Sequence, residues 1–249
     1  MTGAGRGIGR EIALMSAEAG ASVVLAARTQ AQLDKVADEV RSQGASALVV
    51  PTDMMDREAI LQLVKKAIDT YGRIDVLVNN AATNYIANMV LSKEEKWREL
   101  YELNVFSVFR ITQAVLKHMI RAKSGRIINI SSTSAKIGAA FNSAYASSKG
   151  AINSFTKSVA KETARLGITV NAVCPWHVDT ELVHFSMGQR AKMFGKTSEE
   201  YLAEIVQTSP QKRSIEAREI AALTLFLMSP DAKGITGQTL NVCGGVVME

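Results

Sequence analysis

Short β-branched and apolar runs alternate along the whole chain with longer stretches of helical period. The runs lie at residues 22–27, 47–50, 74–78, 126–130, 168–173 and 239–242. Stretches 8–20, 31–43, 57–71, 94–122, 143–166 and 216–228 repeat apolar residues every three or four positions. Unbroken apolar runs of this length suit strands covered on both faces. Gly20, Gly44, Gly72, Gly125 and Gly167 each follow a helical stretch, as C-terminal caps do. The alternation predicts an α/β fold: a three-layer, doubly wound parallel sheet with helices on both faces. No linker interrupts it, so residues 1–249 read as one domain. Residues 181–210 break the rhythm. They contain no strand, carry Phe185, Met187, Met193, Phe194 and Tyr201, and read as a helical lid over a sheet edge.

Composition narrows the picture a little. Hydrophobic residues make up 47% and charged residues 21%, which fits a folded core rather than a disordered chain. No apolar run approaches the ~18 residues of a membrane-spanning helix. The opening residues do not read as a secretory leader. Cys174 and Cys243 are too few for a disulfide framework or a metal cluster, so reduced, packed thiols and a cytoplasmic location are expected. The net charge of +5 is mild. Lys117, Arg121, Lys123 and Arg126 gather where a long helix should end, and cations there complement the helix dipole. No aromatics interleave with them, so nucleic acid is not an expected partner.

The first candidate chemistry lies at the start. Thr2, Gly3, Arg6, Gly7, Ile8 and Gly9 belong to a T-G-x3-G-x-G turn that opens a helix. Glycines let the backbone approach a pyrophosphate, and the helix N-terminus supplies N–H donors. Such a turn needs a strand feeding it at the sheet centre. Only Met1 precedes it here, so about ten further upstream residues, or a different start, are expected. The acid that holds a ribose 2′-hydroxyl normally ends the second strand. Ala27 stands at that place, followed by Arg28. A guanidinium there, helped by Arg6, favours a 2′-phosphate, hence NADP(H) over NAD(H).

The second candidate lies mid-chain. Tyr145 and Lys149 are spaced i, i+4 and share one helix face. A nearby ammonium favours a phenolate, which would let Tyr145 exchange a proton with a carbinol oxygen near neutral pH. Ser132 ends a buried run thirteen residues earlier. Ligands of open α/β sheets bind beyond such strand ends. Asn79 and Ala81 close the preceding strand. Asn104 lies inside a helix where asparagine is a poor helix former, so it needs partners, such as a water linked to Lys149.

These motifs together resemble the short-chain dehydrogenase/reductase family. The resemblance runs through T-G-x3-G-x-G, Asn79-Asn80-Ala81, Asn104, Ser132, Tyr145-x3-Lys149 and Pro175-x-x-Val178-x-Thr180. It implies that Ser132 polarises a carbonyl, Tyr145 is the acid/base, and Lys149 lowers its pKa and holds the nicotinamide ribose. It further implies that Asn104 anchors a proton-relay water and that Asp53 and Met54 meet adenine. Asn79 and Ala81 would pack along the cofactor, with Pro175, Val178 and Thr180 at its carboxamide end.

The resemblance also implies a homotetramer, built on the long helices and residues 237–245, with Ala144, Ser148 and Ala151 permitting close packing. Departures are Ala82 for a glycine, Trp176 and His177 after Pro175, and Cys243 for an acid. A 3-oxoacyl or similar ketone, a thioester among them, is the implied substrate. Tyr85, Phe141, Trp176, His184 and Phe185 are its expected lining. A 3-hydroxy-acid dehydrogenase and a catalytically silent cofactor-binding regulator stay open as alternatives.

Overall fold

The structure, a computed structural model, describes residues 1–248. Helix α1 (Gly7–Glu18) leaves the glycine turn. Strands β1 (Val23–Ala27) and β2 (Ala47–Pro51) flank α2 (Gln30–Ser42), and α3 (Arg57–Tyr71) leads into β3 (Val76–Asn79). Helix α4 (Glu94–Tyr101), a π-helical turn (Glu102–Phe106) and α5 (Ser107–Ala122) precede β4 (Gly125–Ile130). Next come α6 (Ser134–Ile137), α7 (Ser143–Thr163) and β5 (Ile168–Pro175). Helices α8 (Glu181–Met193), α9 (Ser198–Gln207) and α10 (Ala217–Met228) separate β5 from β6 (Thr239–Val242). Among the described residues no helix is long and apolar enough to cross a membrane.

Every strand pairing is parallel, as the buried apolar runs require. β1 pairs with β2, and β3, β4, β5 and β6 form a second sheet in that order. Alternation along the strands sends side chains to two opposite layers. Leu77, Ile127 and Val170 pack against Ile111, Val115 and Val159 of α5 and α7. Val78, Ile128 and Val173 pack against Ile12, Ile220 and Leu227 of α1 and α10. Both faces are therefore sealed, and every residue of β5 is buried. This is the doubly wound α/β arrangement that the sequence pattern predicts.

Three local features differ from the pattern. The single helix expected over 94–122 is broken by the π-helical turn that contains Asn104. Gly125 is not a cap. Lys123 takes the left-handed conformation (φ 51°), and Gly125 opens β4 where a Cβ would lie 2.4 Å from Met119 Sδ. Residues 1–4 themselves run between β1 and β3. The Met1 carbonyl accepts from Ala26 N (3.0 Å), while Thr2 N donates to Val78 O (3.0 Å) and Ala4 N to Ala26 O (3.2 Å). A cavity of about 390 Å³ lies beside Met1 between those two strands.

Candidate active site

The glycine turn is pinned to the end of β3. Thr2, buried, accepts from the backbone N–H groups of Asn80 and Ala81 through Oγ1 (both 3.1 Å). Asn80 Nδ2 donates to the carbonyls of Thr2 (3.2 Å) and Gly3 (3.0 Å). Gly3 and Gly7 have positive φ, which suits residues without a Cβ. At Gly9 a Cβ would lie 2.1 Å from Gly3 O, so α1 can approach the turn this closely only with glycine. In front of the turn lies a cleft of about 230 Å³. Gly3, Arg6, Gly7 and Ile8 line one side, Arg28, Asp53 and Met54 another, and Ala81 and Thr180 the rim.

A dinucleotide fits these residues. The turn would be filled by any added Cβ, α1 presents its N-terminal N–H groups, and Arg28 directly follows β1 without an acid beside it. Asp53 Oδ1 is engaged by Met55 N (2.9 Å). Arg6 is paired with Glu181 of α8, both side chains being mostly exposed.

A second cavity, about 310 Å³, adjoins this cleft through Ile8, Asn80, Ala82, Thr180 and Leu182, which line both. Ser132, Tyr145, Lys149, Pro175 and Val178 converge on it. β4 carries Ser132 just beyond its carboxyl end, and α7 brings Tyr145 and Lys149 one turn apart to the same edge. Lys149, buried, donates from Nζ to Ile130 O (2.7 Å), with Nζ 5.7 Å from the Tyr145 ring centroid.

Desolvation governs both groups. It pushes the Tyr145 phenol up to about 12, opposed by a hydrogen bond with Ser132. It pushes Lys149 down to about 8. The lysine therefore does not by itself make the phenol more acidic, as the spacing suggested. Burial is the largest influence, the opposing ones come from Ser132 and Arg190, and Tyr145 holds its proton throughout the neutral range.

Some expected residues lie elsewhere. Asn79 does not face either cavity. Its Nδ2 donates to Thr112 Oγ1 (3.2 Å) and Asn129 Oδ1 (2.8 Å), and Asn129 Nδ2 donates on to Thr156 Oγ1 (2.8 Å). Strand alternation turns Asn79 inward and leaves Asn80 to line the clefts. The Asn104 side chain is likewise committed. It donates to Thr83 O (2.9 Å) and Ser148 Oγ (3.2 Å) and accepts from Thr83 N (2.9 Å). It fastens the loop after β3 to α7.

Of the expected substrate lining only Trp176 lies on the cavity. Tyr85 accepts from Lys93 N (3.2 Å), Phe141 packs edge-on to Phe194, and Phe185 is exposed. His184 bonds Asp179 (2.6 Å). Val183, Ser186, Met187 and Arg190 of α8 take their place, with Asn84, His177 and Ile205. Ala144 and Ser148 are buried within the chain, so they are not free to pack another copy. Both cysteines are buried and unpaired.

The doubly wound parallel sheet, the glycine cleft and the Ser–Tyr–Lys cavity beside it define a dinucleotide-dependent oxidoreductase. The family model described as short chain dehydrogenase matches residues 1–190. The chain belongs to the short-chain dehydrogenase family. It is 36% identical over 248 residues to the 3-oxoacyl-[acyl-carrier-protein] reductase FabG of Vibrio cholerae, covering all of this chain and 96% of that one. It is 39% identical over 251 residues to the 3-oxoacyl-[acyl-carrier-protein] reductase of Synechocystis, again covering all of this chain and 96% of the other. Among solved structures, an actinorhodin polyketide ketoreductase variant with NADPH superposes with a TM-score of 0.95 at 36% identity, covering 98% of this chain and 95% of that one. An NAD+-bound xylitol dehydrogenase also gives 0.95, at 29% identity, covering 98% and 96%.

Proposed function

We propose that this chain reduces a ketone, of the 3-oxoacyl kind or close to it, to a secondary alcohol with NADPH, and that Tyr145 is the proton donor. It is an NADP-dependent oxidoreductase acting on CH–OH groups. The observation that carries the catalytic reading is the convergence of Ser132, Tyr145 and Lys149 on one cavity that opens into the glycine cleft.

The parts divide as follows. Gly3, Gly7, Gly9 and the α1 N-terminus hold the pyrophosphate. Arg28, with Arg6, holds the 2′-phosphate, while Asp53 and Met54 flank adenine. Lys149 holds the nicotinamide ribose, and Pro175, Val178 and Thr180 border the carboxamide. NADPH, when bound, supplies the hydride. Ser132 donates a hydrogen bond to the substrate carbonyl oxygen, and Tyr145 gives that oxygen its proton. A phenol pushed up to about 12 keeps that proton at neutral pH, which suits the reducing direction. Asn104 acts from a distance by fixing the Thr83 loop against Ser148.

Residues 1–249 work as one catalytic unit, with α8 and α9 as the lid. Exposed Phe106, which ends the π-helical turn, and Phe109 in the first turn of α5 support self-association, read as a tetramer. The two unpaired thiols suit a reducing cytoplasm.

The test is NADPH oxidation against 3-oxoacyl thioesters, β-keto esters and aryl ketones, with NADH in parallel. Turnover of a 3-oxo compound with NADPH preferred is expected. Inertness towards every ketone refutes the reading.

A further inference from the structure

The substrate cavity carries a cation that the proton-transfer chemistry does not use. Val183, Ser186, Met187 and Arg190 follow the i, i+3, i+4, i+7 spacing of one helical face, and all four line the cavity together with Tyr145. Arg190 forms no ion pair among the described residues, and its Nε is buried without a hydrogen-bond partner. The guanidinium is hydrogen-bonded to the hydroxyl of Tyr201 on α9, which supplies no counter-ion. Arg190, Lys149 and His177 all border the cavity, and no carboxylate does so among the described lining residues. Asp179, next to the cavity residue Val178, is engaged by His184 (2.6 Å). Burial holds His177 down at about 4, so it is neutral and free to hydrogen-bond.

A guanidinium left without a counter-ion in a half-closed cavity is costly unless an anion completes it. We propose that Arg190 is the anion-recognising residue of this site and that the substrate is a small oxo acid whose free carboxylate it holds beside Tyr145. This rests on the carbonyl-reduction reading above and narrows its substrate class. Arg190 and Tyr145 line the same cavity of about 310 Å³, so an anion held there beside the reacting carbonyl belongs to the reacting molecule itself. The phosphate of a pantetheine arm is many bonds from its thioester and cannot sit beside the same tyrosine. Arg190 aligns the acid by charge-assisted hydrogen bonds, while the ketone oxygen lies between Ser132 and Tyr145.

The experiment compares straight-chain 3-oxo acids with their methyl esters, which keep the skeleton and lose the charge. kcat/KM is measured with NADPH for the wild type, Arg190→Met and Arg190→Lys. A wild-type acid-to-ester ratio of about 100 is expected, from the strength of hydrogen bonds to charged groups. Arg190→Met brings the ratio close to one, and Arg190→Lys gives an intermediate value. A wild-type ratio near one, or a ratio that Arg190→Met does not move, overturns the inference. Turnover of a 3-oxoacyl thioester with neither acid nor ester consumed overturns it too, yet leaves the reductase reading standing. Inertness to all three classes overturns both.

Discussion

Lys149→Met should make the protein more stable while disabling it. Lys149 is 4% exposed, and its amine is held at about 8 instead of 10.5 by desolvation. That depression corresponds to about 3 kcal/mol of native-state destabilisation at neutral pH. Methionine has similar length and carries no charge. It forfeits the bond to Ile130 O, which offsets about 1 kcal/mol. The net gain at pH 7 is about 2 kcal/mol, or roughly 4–8 °C in Tm for a chain of this size.

The pH dependence identifies the cause. Between about 8 and 10.5 the unfolded chain binds the proton and the native state does not, so the wild type gains stability as pH rises through that window. The variant lacks this gain. Its advantage should shrink by about 2 kcal/mol between pH 7 and 9.5. Urea denaturation at the two pH values reads both quantities. A variant less stable than wild type at pH 7, or an advantage independent of pH, would refute the desolvation argument.

Further outcomes concern the cofactor cleft and the corrected asparagine. Arg28→Asp should reduce the NADPH-to-NADH ratio of kcat/KM by about 100-fold, since a cation facing the 2′-phosphate becomes a repelling acid. An unmoved ratio in steady-state assays with both cofactors would show that Arg28 does not read that phosphate. Asn79→Ala should lower stability by about 1–3 kcal/mol, because Asn129 Oδ1 loses its buried donor. The KM for NADPH should stay within about threefold, as Asn79 faces neither cavity; a large rise in KM with unchanged stability would return it to the cofactor cleft.

The fold was legible because each strand is a buried apolar run and each helix has a clear period. Even the excursion at 181–210 emerged as two helices. Motif positions were legible for the same reason: Ser132, Tyr145 and Lys149 sit where strand and helix ends must meet. What escaped was orientation at single residues. Asn79 and Asn80 are adjacent, and only the phase of β3 decides which one looks into the cleft. Aromatics near the lid were expected on the substrate cavity, yet His184 and Phe185 lie on the other face of α8 from Ser186 and Arg190. Writing out that helix as a 3.6-residue wheel anchored on Met187 would have found Arg190. The phenol's direction of shift was not legible at all. It depends on how deeply the folded chain removes Tyr145 from water, which a spacing of four residues does not encode.

The role of Tyr145 is tested most directly by Tyr145→Phe, which keeps the ring and deletes only the hydroxyl. NADPH binding is followed by fluorescence titration, and ketone reduction by loss of NADPH absorbance. The account predicts turnover lower by about 10²–10⁴-fold with the NADPH Kd within about threefold of wild type. Turnover retained within a few-fold would contradict it, since the proton would then come from another group.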